Sequence, residues 1–351
     1  MAHQVHDLAN VLAGRGHDVT LFTFSPAWPD CRYQVHQITP PPKRLRRLGA
    51  FLFARALART NFAGFDVLHA NGDSYLIRRG PRRPPLLRTF YGSARDEAKS
   101  AVRLRRRLYQ SVAGVLEIWD ARNADRVVGI SATTRARIPA VSEIVPCGVD
   151  LSAFRPGENG AKSEQPTVLF VGTAGGRKRG DFLADVFARQ VRPRFPRAEL
   201  WTVADRPLAG SGEGSGVVNH GRVSRDALAE LYRRAWVFCL PSTYEGFGVP
   251  YVEALASGTA VVASENAGAR EVLQNGAFGT LAGDADIGEA ICRLLGDDDA
   301  RRAQQERGLV RAQDFAWERV AARYERLYAE LSRTHDPVAA VSTAVTDPVS
   351  S

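Results

Sequence analysis

The sequence predicts an α/β protein of two doubly wound domains. Three observations predict it. Apolar, strand-like runs alternate with helical stretches along nearly the whole chain, the pattern of parallel sheets, whose strands need long crossovers. The 351 residues exceed what one small core organises and suit two domains. One polar stretch rich in Gly and Pro, residues 155–166 (RPGENGAKSEQP), interrupts the alternation near the middle and reads as a linker.

The first half opens on a helix, His3 to Ala13, with Val5, Leu8, Ala9, Leu12 and Ala13 on one stripe and Gly14 and Gly16 at its end. Strands follow at Asp18–Phe24, Asp66–Ala70, Leu86–Phe90, Ala124–Ser131 and Ile144–Pro146, with a long helical region from Arg95 to Asn123. An α/β chain that opens on a helix has no strand before it, so the N-terminal sheet is expected to lack a central strand. After the linker the spacing predicts strands at Thr167–Val171, Glu199–Val203, Val217–Gly221, Trp236–Leu240 and Thr259–Ser264. It predicts helices from Asp181, at Asp226–Arg234, Pro250–Ser257 and Ile287–Leu295, and a long one over Asp299–Leu331. The domains expected are 1–152 and 153–333. The small, polar residues 334–351 read as a disordered tail.

Composition narrows the function. A 44% hydrophobic and 24% charged chain is ordinary for a globular protein, which excludes a disordered chain, a collagen-like fibre and a disulfide scaffold. Its cysteines (Cys31, Cys147, Cys239, Cys292) form no CxxC pair, so no structural zinc is expected. No apolar run is long enough to span a membrane and no signal peptide is evident, which predicts a cytoplasmic protein. The net charge of +9 is lopsided: residues 1–150 hold 23 Lys and Arg against 12 Asp and Glu, and the remainder 24 against 26. That asymmetry points to an anionic partner or merely to an arginine-rich composition. The segment Lys43–Arg59 (KRLRRLGAFLFARALAR) fits an ordinary packed helix with a solvated face or, alternatively, an anionic membrane surface.

The chemistry concentrates in the second half. In Pro241–Ser264 (PSTYEGFGVPYVEALASGTAVVAS) a buried strand runs into a loop, and Pro250 suits the first helical position. Gly246 and Gly248 let a ligand approach the backbone, and the free N–H groups at the helix start suit a phosphate oxygen. Glu245 and Glu253 bracket this cradle, and ionised carboxylates accept hydrogen bonds from sugar hydroxyls. In Phe170–Gly180 (FVGTAGGRKRG) a glycine-rich turn carries Arg177, Lys178 and Arg179, able to wrap a diphosphate. It lacks the Walker A spacing. In the first half, His69, Asn71 and Asp73 end one strand and Tyr91 ends the next, so both strand ends are expected to face the ligand. Tyr91 does not titrate near neutrality and is not assigned proton transfer. Asp284/Asp286 and Asp297/Asp299 read as turns and caps, not as a metal site.

The stretch Pro241–Ser264 resembles the glutamate-x7-glutamate signature of retaining glycosyltransferases of family 4, enzymes of the GT-B fold. The resemblance covers about residues 1–331 and is strongest over 167–264. It implies two Rossmann-like domains facing a central cleft, the second binding a nucleotide diphosphate sugar and the first the acceptor. It implies catalytic roles for Glu245 and Lys178, with Arg177 or Arg179 supplying from nearby the charge of the family's usual Arg. It places donor contacts at Gly172, Arg179, Gly246, Phe247, Gly248, Val249 and Glu253, with Arg222 and Val223 in the base-recognition loop before a helix. His69, Asp73 and Tyr91 fall on the acceptor side. Thr173 stands where relatives usually have an Arg. No cofactor or metal is implied beyond the donor itself. The partners implied are a nucleotide-sugar donor and a glycan, lipid-linked or small-molecule acceptor; the charge of the basic first domain then suits an acidic acceptor or peripheral membrane contact and not a nucleic acid. A GT-B sugar-nucleotide epimerase and an inactive GT-B module that binds a glycan or partner are the alternatives.

Overall fold

The computed structural model describes residues 1–72, 74–77, 83–93, 104–158 and 162–335. By packing, the chain divides into two units: Met1–Val145 together with the chain from Val320, and Pro146–Arg319.

The first unit begins with α1 (Ala2–Gly14), which buries Leu8, Ala9 and Leu12. Strand β1 (Thr20–Thr23) pairs in parallel with β2 (Gln34–Gln37). The sequence pattern did not announce β2, because QVHQ is a mostly exposed strand with no apolar alternation. A 3-10 stretch, Lys43–Leu48, leads into α2 (Gly49–Leu57). Then come β3 (Leu68–Ala70), β4 (Leu86–Phe90), α3 (Leu104–Asn123), β5 (Arg126–Gly129), α4 (Ala132–Arg137) and β6 (Glu143–Ile144). Residues 95–103 of the expected long helix lie outside the described residues. These four strands form a parallel sheet in the order β3-β4-β5-β6. The N-terminal strands thus make two sheets instead of one. A cavity of about 360 Å³ lies along the edges of both β1 and β3, lined by Thr20, Phe22, Leu68 and Ala70 and by Phe53 and Leu57 of α2.

The second unit contains β7 (Thr167–Gly172), α5 (Gly180–Val186), β8 (Glu199–Ala204), β9 (Val217–Asn219), α6 (Arg225–Arg234), β10 (Val237–Leu240), α7 (Val249–Ala256), β11 (Ala260–Ser264), α8 (Ala267–Val272), β12 (Thr280–Ala282), α9 (Ile287–Gly296) and α10 (Asp298–Ala312). The last helix is α11 (Trp317–His335). The sheet is parallel, in the order β12-β11-β10-β7-β8-β9. β10 and β11 are buried along their whole length, as strands covered on both faces must be, which is why they read as unbroken apolar runs. The chain leaves β7 towards β8 and β9, then returns to build β10, β11 and β12 on the other side. The carboxyl ends of β7 and β10 are therefore neighbours at the point where strand order reverses, where open α/β sheets bind ligands.

The expected helix over Asp299–Leu331 is broken in two. The chain turns through Gln313–Phe315 and is extended at Ala316, so that Phe315 and Trp317 are buried. Gly148 lies against the Trp317 indole so closely that a Cβ would sit 2.4 Å from the ring. The backbone of Val149 donates to Phe315 O at 2.8 Å. These contacts place Pro146 onward in the second unit, whereas the linker composition suggested a boundary at 152/153. The other boundary falls at 319/320 instead of 333, because α11 buries Ala321, Tyr324, Leu327 and Leu331 and bonds to strands β3 and β4 of the first unit. Thr334 and His335, read from sequence as the start of the tail, end α11. Residues 336–351 lie outside the described residues.

Candidate active site

The site grows from two loops at the carboxyl ends of β7 and β10. After β7 the chain doubles back at once. Gly172 makes this feasible, because a Cβ there would meet Lys178 Cβ and the Phe170 ring at 3.1 Å each. Lys178 closes a short 3-10 turn, Gly176–Lys178, over the strand end. The next residue, Arg179, takes left-handed backbone angles (φ 59°, ψ 41°), unusual without glycine. Its side chain is held twice over: it donates to both carboxylate oxygens of Asp284, at 2.9 and 2.7 Å, and its guanidinium lies 4.0 Å from the Phe182 ring. Arg179 is thereby committed to the β12–α9 connection, while Arg177 and Lys178 point to the other loop.

That loop, Pro241–Gly248, ends on Gly248 with φ 102°, a conformation that favours glycine. Val249 is the first residue of α7 and Pro250 the second, one place later than the sequence suggested. Phe247 is buried and packs edge-on against Phe315. Glu245 is only 4% exposed. Its carboxylate makes ion pairs with Lys178 Nζ at 2.7 Å and with Arg177 at 3.1 Å. Arg177 also donates to Tyr244 O at 3.0 Å, and its own carbonyl accepts from Thr243 N at 2.9 Å. A buried carboxylate needs such partners, since an isolated charge in the interior is costly. Desolvation lowers the pKa of Lys178; Glu245 and, more weakly, Glu253 pull it back up. Glu253, half-buried on α7, also lies beside the buried Tyr232, whose phenol is pushed up mainly by burial and further by that carboxylate. The structure therefore brings Gly172, Arg177, Lys178, Glu245, Gly246, Phe247, Gly248, Val249 and Glu253 to one end of the sheet.

The other expected residues stand elsewhere. Arg222 is exposed and Val223 half-buried in the turn after β9, at the sheet edge, just before the α6 cap Ser224. In the first unit, His69 is shared between Tyr328 Oη (2.7 Å) and Thr89 Oγ1 (2.8 Å). Burial, with Arg88 adding to it, lowers its pKa to about 3, so it stays neutral. The Tyr91 hydroxyl donates to Asn71 Oδ1 at 3.1 Å. Asp73 lies outside the described residues. Asp284 is occupied by Arg179, and Asp297 caps α10 through Ala300 N at 2.9 Å. Among the described residues no cluster of three or more His, Cys, Asp or Glu is arranged to hold a metal. Residues that sequence reasoning missed support the loop from beneath: Asn266, Gly268 and Tyr251. The Asn-Ala-Gly-Ala string was a readable helix-start signal in the sequence.

The chain is similar to known glycosyltransferases over nearly its whole length. Residues 1–153 match the family described as Glycosyltransferase Family 4, and residues 165–297 match Glycosyl transferases group 1. The phosphatidyl-myo-inositol mannosyltransferase of Mycolicibacterium smegmatis is 28% identical over 356 residues, covering 93% of this chain and 89% of that protein. A D-inositol 3-phosphate glycosyltransferase of Geodermatophilus obscurus is 30% identical over 317 residues, covering 79% of this chain and 68% of that protein. Among solved structures, sucrose-phosphate synthase of Thermosynechococcus elongatus superposes with a TM-score of 0.73 at 24% identity, covering 94% of this chain and 93% of that one. Anabaena HepE, solved with UDP and glucose, superposes with a TM-score of 0.71 at 16% identity, covering 93% and 95%.

Proposed function

The chain belongs to glycosyltransferase family 4 and has the GT-B fold, and from that premise we propose that it moves a sugar from a nucleotide diphosphate sugar to an acceptor hydroxyl with retention at the anomeric carbon. The observation that carries the reading is the meeting of two cation- and amide-bearing loops at the switch point of the second unit's sheet. Lys178, Arg177 and the amides around Gly246–Val249 supply positive potential where a diphosphate leaves, which is where a glycosyl transition state builds charge. Glu245 and Glu253 supply acceptors for sugar hydroxyls on either side. In the proposed step the bond from the anomeric carbon to the diphosphate oxygen breaks. The acceptor oxygen bonds to the same face of that carbon, and its proton passes to the departing phosphate. The cations and helix start neutralise the leaving group in this reading, so no divalent metal is invoked.

The first unit is proposed as the acceptor side. Between Cys31 and Phe65 it has seven Lys and Arg and no carboxylate. On the 3-10 stretch and α2, Leu45, Leu48 and Phe51 are 37%, 51% and 47% exposed, with Arg44, Arg55 and Arg59 exposed beside them. In a 3-10 stretch residues three apart eclipse, so Leu45 and Leu48 share a face. Cations around protruding apolar side chains fit an anionic membrane surface, where a lipid-linked acceptor resides. Among the described residues no helix is long and apolar enough to cross a membrane.

The deciding experiment is a hydrolysis and binding screen over nucleotide sugars. Turnover or saturable binding of one donor supports the transferase. Binding of none of them favours the inactive module.

A further inference from the structure

We infer that Asn266 is the positioning residue of the Glu245 loop, an inference that rests on the donor-binding role proposed above. Asn266 is 6% exposed and works in two directions. Its Oδ1 accepts from Ala269 N at 3.0 Å and so caps α8. The two N–H groups of its Nδ2 are shared among Ser242 O at 3.1 Å, Ser264 O at 3.1 Å and Tyr251 Oη at 3.2 Å. Ser242 follows β10 and opens the loop, Ser264 ends β11, and Tyr251 lies on α7 just past the loop. One amide therefore ties both ends of the Pro241–Gly248 loop to the adjacent strand.

The cap and the clamp converge on Glu245. Gly268, in the first turn of α8, lies directly against the loop backbone: a Cβ there would sit 2.5 Å from Phe247 O and 2.8 Å from Glu245 O. The Tyr251 ring lies equally close under Gly248, 2.4 Å from where a Cβ would be. Asn266 fixes both of these supports.

The need for such a clamp follows from the ion pairs. Glu245 is held by Lys178 and Arg177. A bound diphosphate competes for those same cations. The hold that survives donor binding comes from groups that do not face the phosphate, and Asn266 is such a group.

The test separates cap from clamp. Asn266→Ser and Asn266→Asp each keep an oxygen that can cap α8 but lose the amide donors. The clamp predicts that Asn266→Ser still folds but with a lower thermal midpoint, because the buried Ser242 and Ser264 carbonyls lose a donor, that kcat for donor hydrolysis falls about 10- to 100-fold, and that donor KM moves less than about 3-fold. It also predicts faster amide hydrogen exchange over residues 242–249 in the absence of donor. A serine variant with kcat near wild type and unchanged exchange over 242–249 overturns the inference and leaves Asn266 a helix cap. The exchange arm needs no turnover: if the wild-type protein hydrolyses no donor, the transferase reading fails by itself, while exchange over the loop still decides the clamp.

Discussion

Lys178 Nζ stands 2.7 Å from Glu245 Oε1, and both groups are largely withdrawn from solvent. This pair joins the turn after β7 to the loop after β10, and it is the smallest unit that contains the proposed chemistry. Lys178→Ala removes the cation proposed to face the leaving phosphate. It should lower turnover about 100-fold or more, in line with loss of one charge-stabilising donor. Lys178→Arg keeps the charge and should recover part of the activity. Near-normal turnover in the alanine variant would remove Lys178 from the mechanism.

The same burial sets a pH dependence. Lys178 loses its proton at a lower pH than an ordinary lysine, which titrates near ~10.4. As pH rises through the lowered value the cation disappears, so affinity for a nucleoside diphosphate should fall while the solution is still below the usual lysine range. Guanidinium does not titrate there. In Lys178→Arg this alkaline decline should move to higher pH. Calorimetric titration of UDP and GDP at stepwise pH reads the effect, and identical profiles in both proteins would assign the decline to another group.

His69 makes the opposite kind of prediction. Its proton affinity is depressed to about 3, whereas an unfolded histidine titrates near ~6.5. As pH falls through the latter value the unfolded chain binds a proton that the folded chain refuses, so stability drops on acidification over that window. Urea midpoints at about pH 7.5 and about pH 5.5 should differ less in His69→Gln than in wild type. The activity profile between those values should show no His69 titration. A catalytic imidazole would impose one.

Gly248 ends the loop in a backbone conformation that favours glycine. Gly248→Ala meets both the positive φ and the Tyr251 ring, which is fully buried. Strain of this type costs about 1–3 kcal/mol, a shift of about 2–4 °C in melting temperature per kcal/mol for a unit of this size. Turnover should fall with it, because the loop carries Glu245. An alanine variant of wild-type stability and rate would contradict the loop geometry.

The proposed acceptor-side surface is testable with vesicles. Wild type should co-sediment with phosphatidylglycerol vesicles, less with phosphatidylcholine, and be released by salt. The double variant Leu48→Asp, Phe51→Asp should lose most of this binding while keeping donor hydrolysis. Binding that ignores vesicle charge and both substitutions would argue against that face.

The sequence by itself determined the α/β class, nearly every strand of the second unit and the two loops that carry the site. These are local facts: an apolar run bounded by glycines is a buried strand wherever it lies, and a glycine-rich turn before a helix is open to phosphate. It could not show β2, whose exposed residues carry no alternation, nor the break at Gln313–Ala316, which exists to bury Phe315 and Trp317. Only the tertiary structure decided which cations serve the site. Arg177, Lys178 and Arg179 are indistinguishable as a string, yet two of them reach Glu245, with Arg177 68 positions away from it in the chain, while the third turns to Asp284. Likewise His69, at a strand end in the sequence, is taken up by Tyr328 and Thr89. The reason is common to all these cases: the partner of a buried charge or polar group is fixed by sheet order and helix packing, which bring together residues that no local pattern relates.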